Sequence, residues 1–208
     1  MAEAFTTDTE RIARGLRQRD MALLHGLVTQ YHFRLVRYLI YLLGHRDPVD
    51  DLVQETWLRV LERGNSYNGR SRFEPWLFAI ARNLTLDHLR KRRVFSLDSN
   101  ADASDDPGQH RDPAPLISSA PSPFELAART EDAQRLAHTL ETLEPIYREA
   151  LVLRFQEDLS LQEMSTVMGV PLTTVSSRIY RGLAALRTQM TPKPDRIGTD
   201  TKGEQHAG

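Results

Sequence analysis

The sequence predicts an all-α protein of two small helical domains joined by a flexible acidic linker, and three observations predict it. Apolar residues recur at helical spacing over about 7–93 and again over about 124–190, with no alternating strand pattern of useful length. The stretch between them is rich in Asp, Ser, Ala and Pro, with prolines at 107, 113, 115, 121 and 123. Such a composition cannot bury enough apolar surface to offset the entropy of ordering it. At 208 residues the chain has room for one or two domains of this kind. The division expected is a helical domain over 7–95, the linker over 96–123, a second helical domain over 124–190 and a disordered polar tail over 191–208.

Composition narrows the function classes. Hydrophobic residues make up 40% and charged residues 26%, as in ordinary soluble proteins. Cysteine is absent, which excludes disulfides and thiolate metal sites. No apolar run is long enough to cross a bilayer, and the polar first twenty residues do not read as a secretory signal, so a cytoplasmic location is the default. The seven histidines are scattered, with no pair at metal-ligand spacing among carboxylates. No nucleophile accompanies the tandem acids Asp50-Asp51 and Asp105-Asp106, and no glycine-rich phosphate loop appears. Neither catalysis, a metal nor a cofactor is therefore expected. Net charge is only −1, but it is unevenly spread. Between Arg70 and Arg93 seven bases face two acids, and between Asp98 and Pro115 five acids face one base.

The first domain reads as four helices. The first runs from about Thr7 to Arg17. The second, "MALLHGLVTQYHFRLVRYLIYLLG", is strongly apolar and ends at Gly44. The third begins after Asp47-Pro48, and the fourth near Glu74-Pro75. On the third, "DDLVQETWLRVLE", Val53, Trp57, Val60 and Leu61 form the core stripe. Asp51, Glu55 and Glu62 fall opposite, with Leu58 among them. An apolar residue within an acidic face suits a docking surface, and equally a solvated face with one stray leucine.

The fourth helix, with the loop before it, is "NSYNGRSRFEPWLFAIARNLTLDHLRKRR". Its expected core stripe is Leu77, Ile80, Ala81 and Leu84, with Trp76, Ala79, Asn83, Leu86 and Arg90 on another side. The amide of Asn83 can read a base edge through paired donor and acceptor groups. The preceding loop, Gly64 to Phe73, offers Asn65, Ser66, Tyr67, Asn68, Arg70 and Arg72, a polar setting in which an unstacked nucleotide could sit. Arg90, Lys91, Arg92 and Arg93 can neutralise phosphates or complement the negative end of their own helix.

The second domain reads as "SPFELAARTEDAQRLAHTLETL", then "EPIYREALVLRFQE", then two shorter helices. Ser160-x-x-Glu163 is a capping-box pattern that starts one of these, and Gly169 stops it. After Val170-Pro171 comes "LTTVSSRIYRGLAALR", which completes a helix-turn-helix. Leu172, Val175, Ile179, Gly182 and Leu186 are expected to face inward. Thr173, Ser176, Ser177, Tyr180 and Arg181 are expected outward, with Thr174 and Arg178 on the flank. Hydroxyls and arginines near the start of such a helix suit base edges and phosphates in a major groove. Helical hairpins without a DNA role share the glycine turn.

Taken together these segments resemble bacterial RNA polymerase sigma factors of the extracytoplasmic-function group. The resemblance covers about Asp20 to Arg93 and Phe124 to Met190. "DPVDDLVQETWLRVLE" is similar to the polymerase-binding helix of region 2. "FEPWLFAIARNLTLDHLRKRR" is similar to the segment that melts and reads the minus-ten element. The stretch from Leu143 to Arg187 is similar to region 4, which reads the minus-thirty-five element. The resemblance implies that Asp51, Gln54, Glu55 and Leu58 dock on the clamp helices of the largest polymerase subunit, with the flap region as a further contact. It implies that Asn83 and the loop with Asn65, Ser66, Tyr67, Asn68 and Arg72, beside Trp76, capture a flipped base of the non-template strand. Arg90 to Arg93 would hold phosphates. Thr173, Thr174, Ser176, Ser177, Arg178, Tyr180 and Arg181 would read the upstream element. The acidic linker would thread the polymerase channel in place of nucleic acid. An anti-sigma protein, which would hide both the acidic face and the basic helix, is a plausible further partner.

The chain also departs from the family. Glycine is frequent in relatives at the position of Thr173, and a base is frequent at those of Ser176 and Leu183. Fewer cations imply weaker phosphate binding or a different upstream sequence. The linker is longer and more acidic than the family leads one to expect. Three other readings remain at this point: a helix-turn-helix regulator working without polymerase, an all-α enzyme acting on nucleic acid, and a helical scaffold. The first leaves the Asp51/Glu55/Leu58 face unexplained, the second needs a metal-binding carboxylate cluster that the sequence does not assemble, and the third has no need of Asn83 beside the arginines.

Overall fold

A computed structural model describes residues 2–99 and 131–190, with side-chain surroundings for 8–92 and 136–190. Its described residues form α1 (Ala2–Gln18), α2 (Met21–Leu43), α3 (Val49–Arg63), α4 (Phe73–Ser99), α5 (Glu131–Thr142), α6 (Pro145–Leu151), α7 (Leu161–Met168) and α8 (Leu172–Met190). A short 3-10 turn over Gly64–Ser66 follows α3, and a wide π-type turn over Val152–Gln156 follows α6. No strand occurs among the described residues. The expected linker and tail lie outside them, except for residues 96–99, where α4 continues past the boundary expected at 95.

The central helix is α2. Asp20 caps its start, its carboxylate accepting from the amides of Ala22 (2.9 Å) and Leu23 (3.1 Å). Leu24, Leu27, Tyr31, Leu35, Tyr38, Leu39 and Leu42 recur at helical spacing and are all buried. The Tyr38 ring meets Phe78 of α4 edge-on at 5.1 Å, and Tyr31 meets Phe73 at 5.4 Å. The core of α3 holds Val53, Trp57 and Val60, as expected, together with Val49, Leu52 and Thr56.

On α4 the buried stripe is Leu77, Phe78, Ala81 and Thr85, while Ile80 and Leu84 are half-buried. The stripe is rotated from the expected one because Thr85 takes a core position, its hydroxyl satisfied within the helix, and Thr56 does the same on α3. The Thr85 hydroxyl donates to Ala81 O at 2.8 Å, and that of Thr56 to Leu52 O at 2.6 Å.

The second half builds its helix-turn-helix from local signals. Ser160 and Glu163 form the full capping box, and Gly169 ends α7 in the left-handed region at φ 64°. On α8, Val175 and Gly182 are buried, while Ile179 and Leu186 are half-buried. Leu172, expected inward, is 43% exposed, because the helix starts there and its first turn overhangs the core. A Cβ added at Gly182 would lie 3.1 Å from Leu151 Cγ and Cδ1, so α6 and α8 touch there nearly backbone to side chain.

The two halves pack against each other, α4 on α7 and α2 on α6. One apolar cluster runs through both, joining Leu35, Leu77 and Ala81 to Leu153, Leu159, Met164 and Val175. Arg148 of α6 is buried beside Gly44 at the C-terminal end of α2, where a helix favours a cation, and it donates to Glu141 O at 3.1 Å. Burial lowers its pKa from the usual arginine value.

Candidate nucleic-acid and partner interface

The outer face of α3 is built as its spacing predicts. Asp51 and Gln54 are exposed, and Leu58 is 47% exposed while Trp57 and Val60 beside it are buried. Glu55 is half-buried and pairs with Arg59 at 3.0 Å, and Arg59 also reaches Glu62 at 2.8 Å. The face is therefore a leucine among acids with one arginine at its edge. These exposed pairs are worth little energetically, so a partner can rearrange them cheaply.

The loop from Gly64 to Phe73 sits on α1, Gly69 at φ 74° lying against Thr9 O. Asn65, Ser66 and Asn68 are exposed. The Asn68 side chain accepts from the Arg70 amide at 2.9 Å, and the Ser66 hydroxyl donates to Arg63 O at 2.8 Å. Tyr67 is not on the surface, contrary to the expectation for a stacking platform. It is 2% exposed, its ring lies 5.4 Å from Phe73 and 5.3 Å from Trp76, and its hydroxyl donates to Ser71 O at 2.6 Å. Burial, with Glu74 nearby, raises its pKa. Trp76, expected beside Asn83, is half-buried in the same cluster. Both rings shape the loop from below.

Along α4, Asn83, Leu86, Asp87 and Arg90 are exposed, as are Lys91 and Arg92. Arg90 pairs with Asp87 at 2.8 Å on the surface. The side chain of Arg93 lies outside the described residues. Asn83 and the cations Arg90, Lys91 and Arg92 are thus all exposed on one helix, the cations two turns further on.

On α8, Thr173, Ser176, Ser177 and Arg181 are exposed, and Tyr180 is 75% exposed. Thr174 and Arg178 are half-buried on the flank. A groove between α6 and α8 is lined by Tyr147, Thr174, Ser177, Arg178 and Arg181. Leu183, where the family resemblance leads one to expect a base, is 43% exposed.

Sequence reasoning missed a second polar cluster, which lies in the seam between the halves. The carboxylate of Glu149, 2% exposed, accepts from Arg82 Nε at 2.6 Å and from the Tyr38 hydroxyl at 2.9 Å. That of Glu157, 1% exposed, accepts from Arg34 Nε at 2.7 Å and Arg37 Nη2 at 3.1 Å. Arg72 of the loop donates to Asp158 O at 3.1 Å and approaches Glu74 and Glu163 at 3.4 and 3.9 Å. The available signal was a pair of arginines three apart in a strongly apolar helix and two glutamates within "REALVLRFQE". Among the described residues no group of three or more acids and histidines could hold a metal ion, and no helix is long and apolar enough to cross a membrane.

Comparison with known proteins covers the same surfaces. Residues 27–94 match the family described as Sigma-70 region 2, and residues 133–186 match Sigma-70, region 4. The chain is 30% identical over 183 residues to the RNA polymerase sigma-H factor of Pseudomonas aeruginosa, spanning 88% of this chain and 92% of that protein. It is 26% identical over 176 residues to the ECF RNA polymerase sigma factor SigW of Bacillus subtilis, spanning 84% of this chain and 92% of the relative. Among solved structures it is similar to the sigma factor RpoE of Bartonella quintana in complex with the anti-sigma factor NepR, with a TM-score of 0.60 and 26% identity over 83% of this chain and 98% of that one.

Proposed function

Because the chain belongs to the sigma-70 family, in its extracytoplasmic-function group, we propose a division of labour among the surfaces described above. The chain is an alternative sigma factor that directs promoter-specific transcription with RNA polymerase. Sigma factors are regulatory subunits, and this one performs its task in the cytoplasm by binding, with no catalytic residue or cofactor of its own. Asp51, Gln54, Glu55 and Leu58 dock on the clamp helices of the largest subunit, and the second domain reaches the flap region. The exposure of Leu58 among acids, on a helix whose other side is buried, carries this assignment.

Asn83, with Asn65, Ser66, Asn68 and Arg72, captures a flipped base of the minus-ten element, over the support of Tyr67 and Trp76. Arg90, Lys91, Arg92 and Arg93 hold the backbone. Melting becomes favourable when a splayed base gains contacts that the closed duplex cannot offer. Thr173, Thr174, Ser176, Ser177, Arg178, Tyr180 and Arg181 read the minus-thirty-five element, each good base contact giving roughly 1–3 kcal/mol of discrimination. An anti-sigma protein would sequester these faces, a kind of partner supported by the similar Bartonella quintana sigma factor, which is solved in complex with one.

Run-off transcription with purified core polymerase tests the assignment. Glu55→Lys reverses a charge on the docking face and is expected to abolish holoenzyme assembly. Arg181→Ala is expected to leave assembly intact and reduce promoter choice. Tight promoter binding by the chain alone, unaffected by Glu55→Lys, would instead favour a regulator that works without polymerase.

A further inference from the structure

We propose that Leu86 determines specificity within the minus-ten surface, a role that rests on the sigma-factor reading: its side chain packs against the C5 methyl of a thymine beside the base that Asn83 takes. Among the described residues of the first domain two leucines are exposed, and the charges around them differ in sign. Leu58 of α3, 47% exposed, shares its side of the helix with Asp51, Glu55 and Glu62. Leu86 of α4, 39% exposed, shares its side with Asn83, Asp87 and Arg90, and Lys91 and Arg92 follow directly. The acid of that group, Asp87, is paired with Arg90 at 2.8 Å. Acids repel a phosphate backbone and cations attract it, so Leu58 suits a protein partner and Leu86 a nucleic acid. Core packing on α4 is made by Leu77, Phe78 and Ala81, with Ile80 and Leu84 beside them, so the helix is anchored without Leu86.

Helical spacing limits what Leu86 can reach. Three residues advance a helix by about 4.5 Å, close to one base step of about 3.4 Å. A base held by Asn83 therefore brings its immediate neighbour to Leu86. Arg90 lies about 10 Å along from Asn83, which leaves it for phosphates. Among the bases only thymine carries a methyl on its major-groove edge, and an apolar side chain is the group that recognises it. Against the amino group of cytosine at the same place Leu86 offers no acceptor, so a donor would go unpaired. The methyl projects from the ring whether the base is paired or splayed, so the contact persists while the duplex opens. Asn83 thus reads by hydrogen bonds and Leu86 by shape.

Deoxyuridine in place of thymidine removes that one methyl and tests the contact. Duplexes are selected from a randomised pool with holoenzyme assembled from the full chain and core polymerase, and each thymine of the selected minus-ten region is replaced singly by deoxyuridine. Wild type is expected to lose about fourfold in open-complex formation at one thymine, the worth of one buried methyl. Leu86→Ala is expected to assemble normally, to lose a similar factor on the thymine duplex and to be indifferent to deoxyuridine there. Leu86→Met keeps an apolar side chain and is expected to retain the preference. All three residues are good helix formers, so the chains should show equal helicity. A wild type indifferent to every deoxyuridine, or a selected region with no recurrent thymine, would overturn the contact. So would a deoxyuridine effect of equal size in Leu86→Ala. Weakened assembly of Leu86→Ala, or an equal loss on every duplex, would put a polymerase surface on Leu86 instead. Failure of wild type to assemble with core polymerase, recorded in the same experiment, would remove the sigma-factor reading and this role together, whereas the other failures leave that reading standing.

Discussion

Arg82 and Asn83 are adjacent in the chain and face different environments. Arg82 turns to Glu149 in the seam, while Asn83 remains exposed above the cations of α4. A helical wheel places Asn83 outward, and nothing in the sequence marks Arg82 as different from the arginines that follow it. Tyr67 shows the opposite limit. A tyrosine in a polar loop looks available for stacking, but Phe73 and Trp76 provide an aromatic bed that outweighs the cost of burying one hydroxyl, because Ser71 O accepts from it. Tyr38 gives a prediction at this scale. Burial, with Glu149 beside it, raises its pKa well above the ordinary value near 10, and Tyr31 and Tyr67 are raised as well. A folded-state pKa above the unfolded one contributes stability that is complete below about pH 10 and is lost as pH rises further. Urea midpoints should therefore be flat from neutral to mildly alkaline pH and fall above about pH 10. Tyr38→Phe should lower the neutral-pH stability by about 1.5–3 kcal/mol, the scale of a hydrogen bond to a charged acceptor, and flatten the alkaline decline.

At the scale of the element, local chemistry was the most legible. The Ser160–Glu163 pattern and Gly169 bracket α7 in the sequence and in the structure. Their energetics can be measured separately. Ser160→Ala removes a cap worth about 1 kcal/mol. At Gly169 an added Cβ would meet nothing within 4 Å, so Gly169→Ala costs only the left-handed backbone, about 1–2 kcal/mol. Chemical denaturation of each variant should show both losses. The phase of α4 was less legible, because Thr85 takes a core position usually read as polar while Ile80 stays half-buried. The π-type turn after α6 had no sequence signal at all. Its wide closure, Glu157 N donating to Val152 O at 3.1 Å, is made by the same residue whose carboxylate reaches α2.

For the whole molecule, the sequence conveyed two helical halves but not that they pack together. The seam depends on pairs 67 to 123 residues apart, a separation that periodicity cannot register. One apolar cluster crosses it, which bears on cooperativity. Calorimetry of the intact chain should show a single unfolding transition, because neither half can lose its packing without exposing the other. The Glu149→Gln/Glu157→Gln variant should separate it into two. A single sharp transition in that variant would mean that the apolar cluster alone couples the halves.

Gly182 governs the roll of the recognition helix by what it lacks. With no side chain at that point, α8 lies flush on Leu151, and its row of hydroxyls acquires a fixed heading. A single methyl would act as a wedge, tilting the row while deleting none of its members. Gly182→Ala should accordingly preserve indiscriminate adhesion to duplexes yet blur which duplex is preferred, as a competition between matched and scrambled upstream sequences would register.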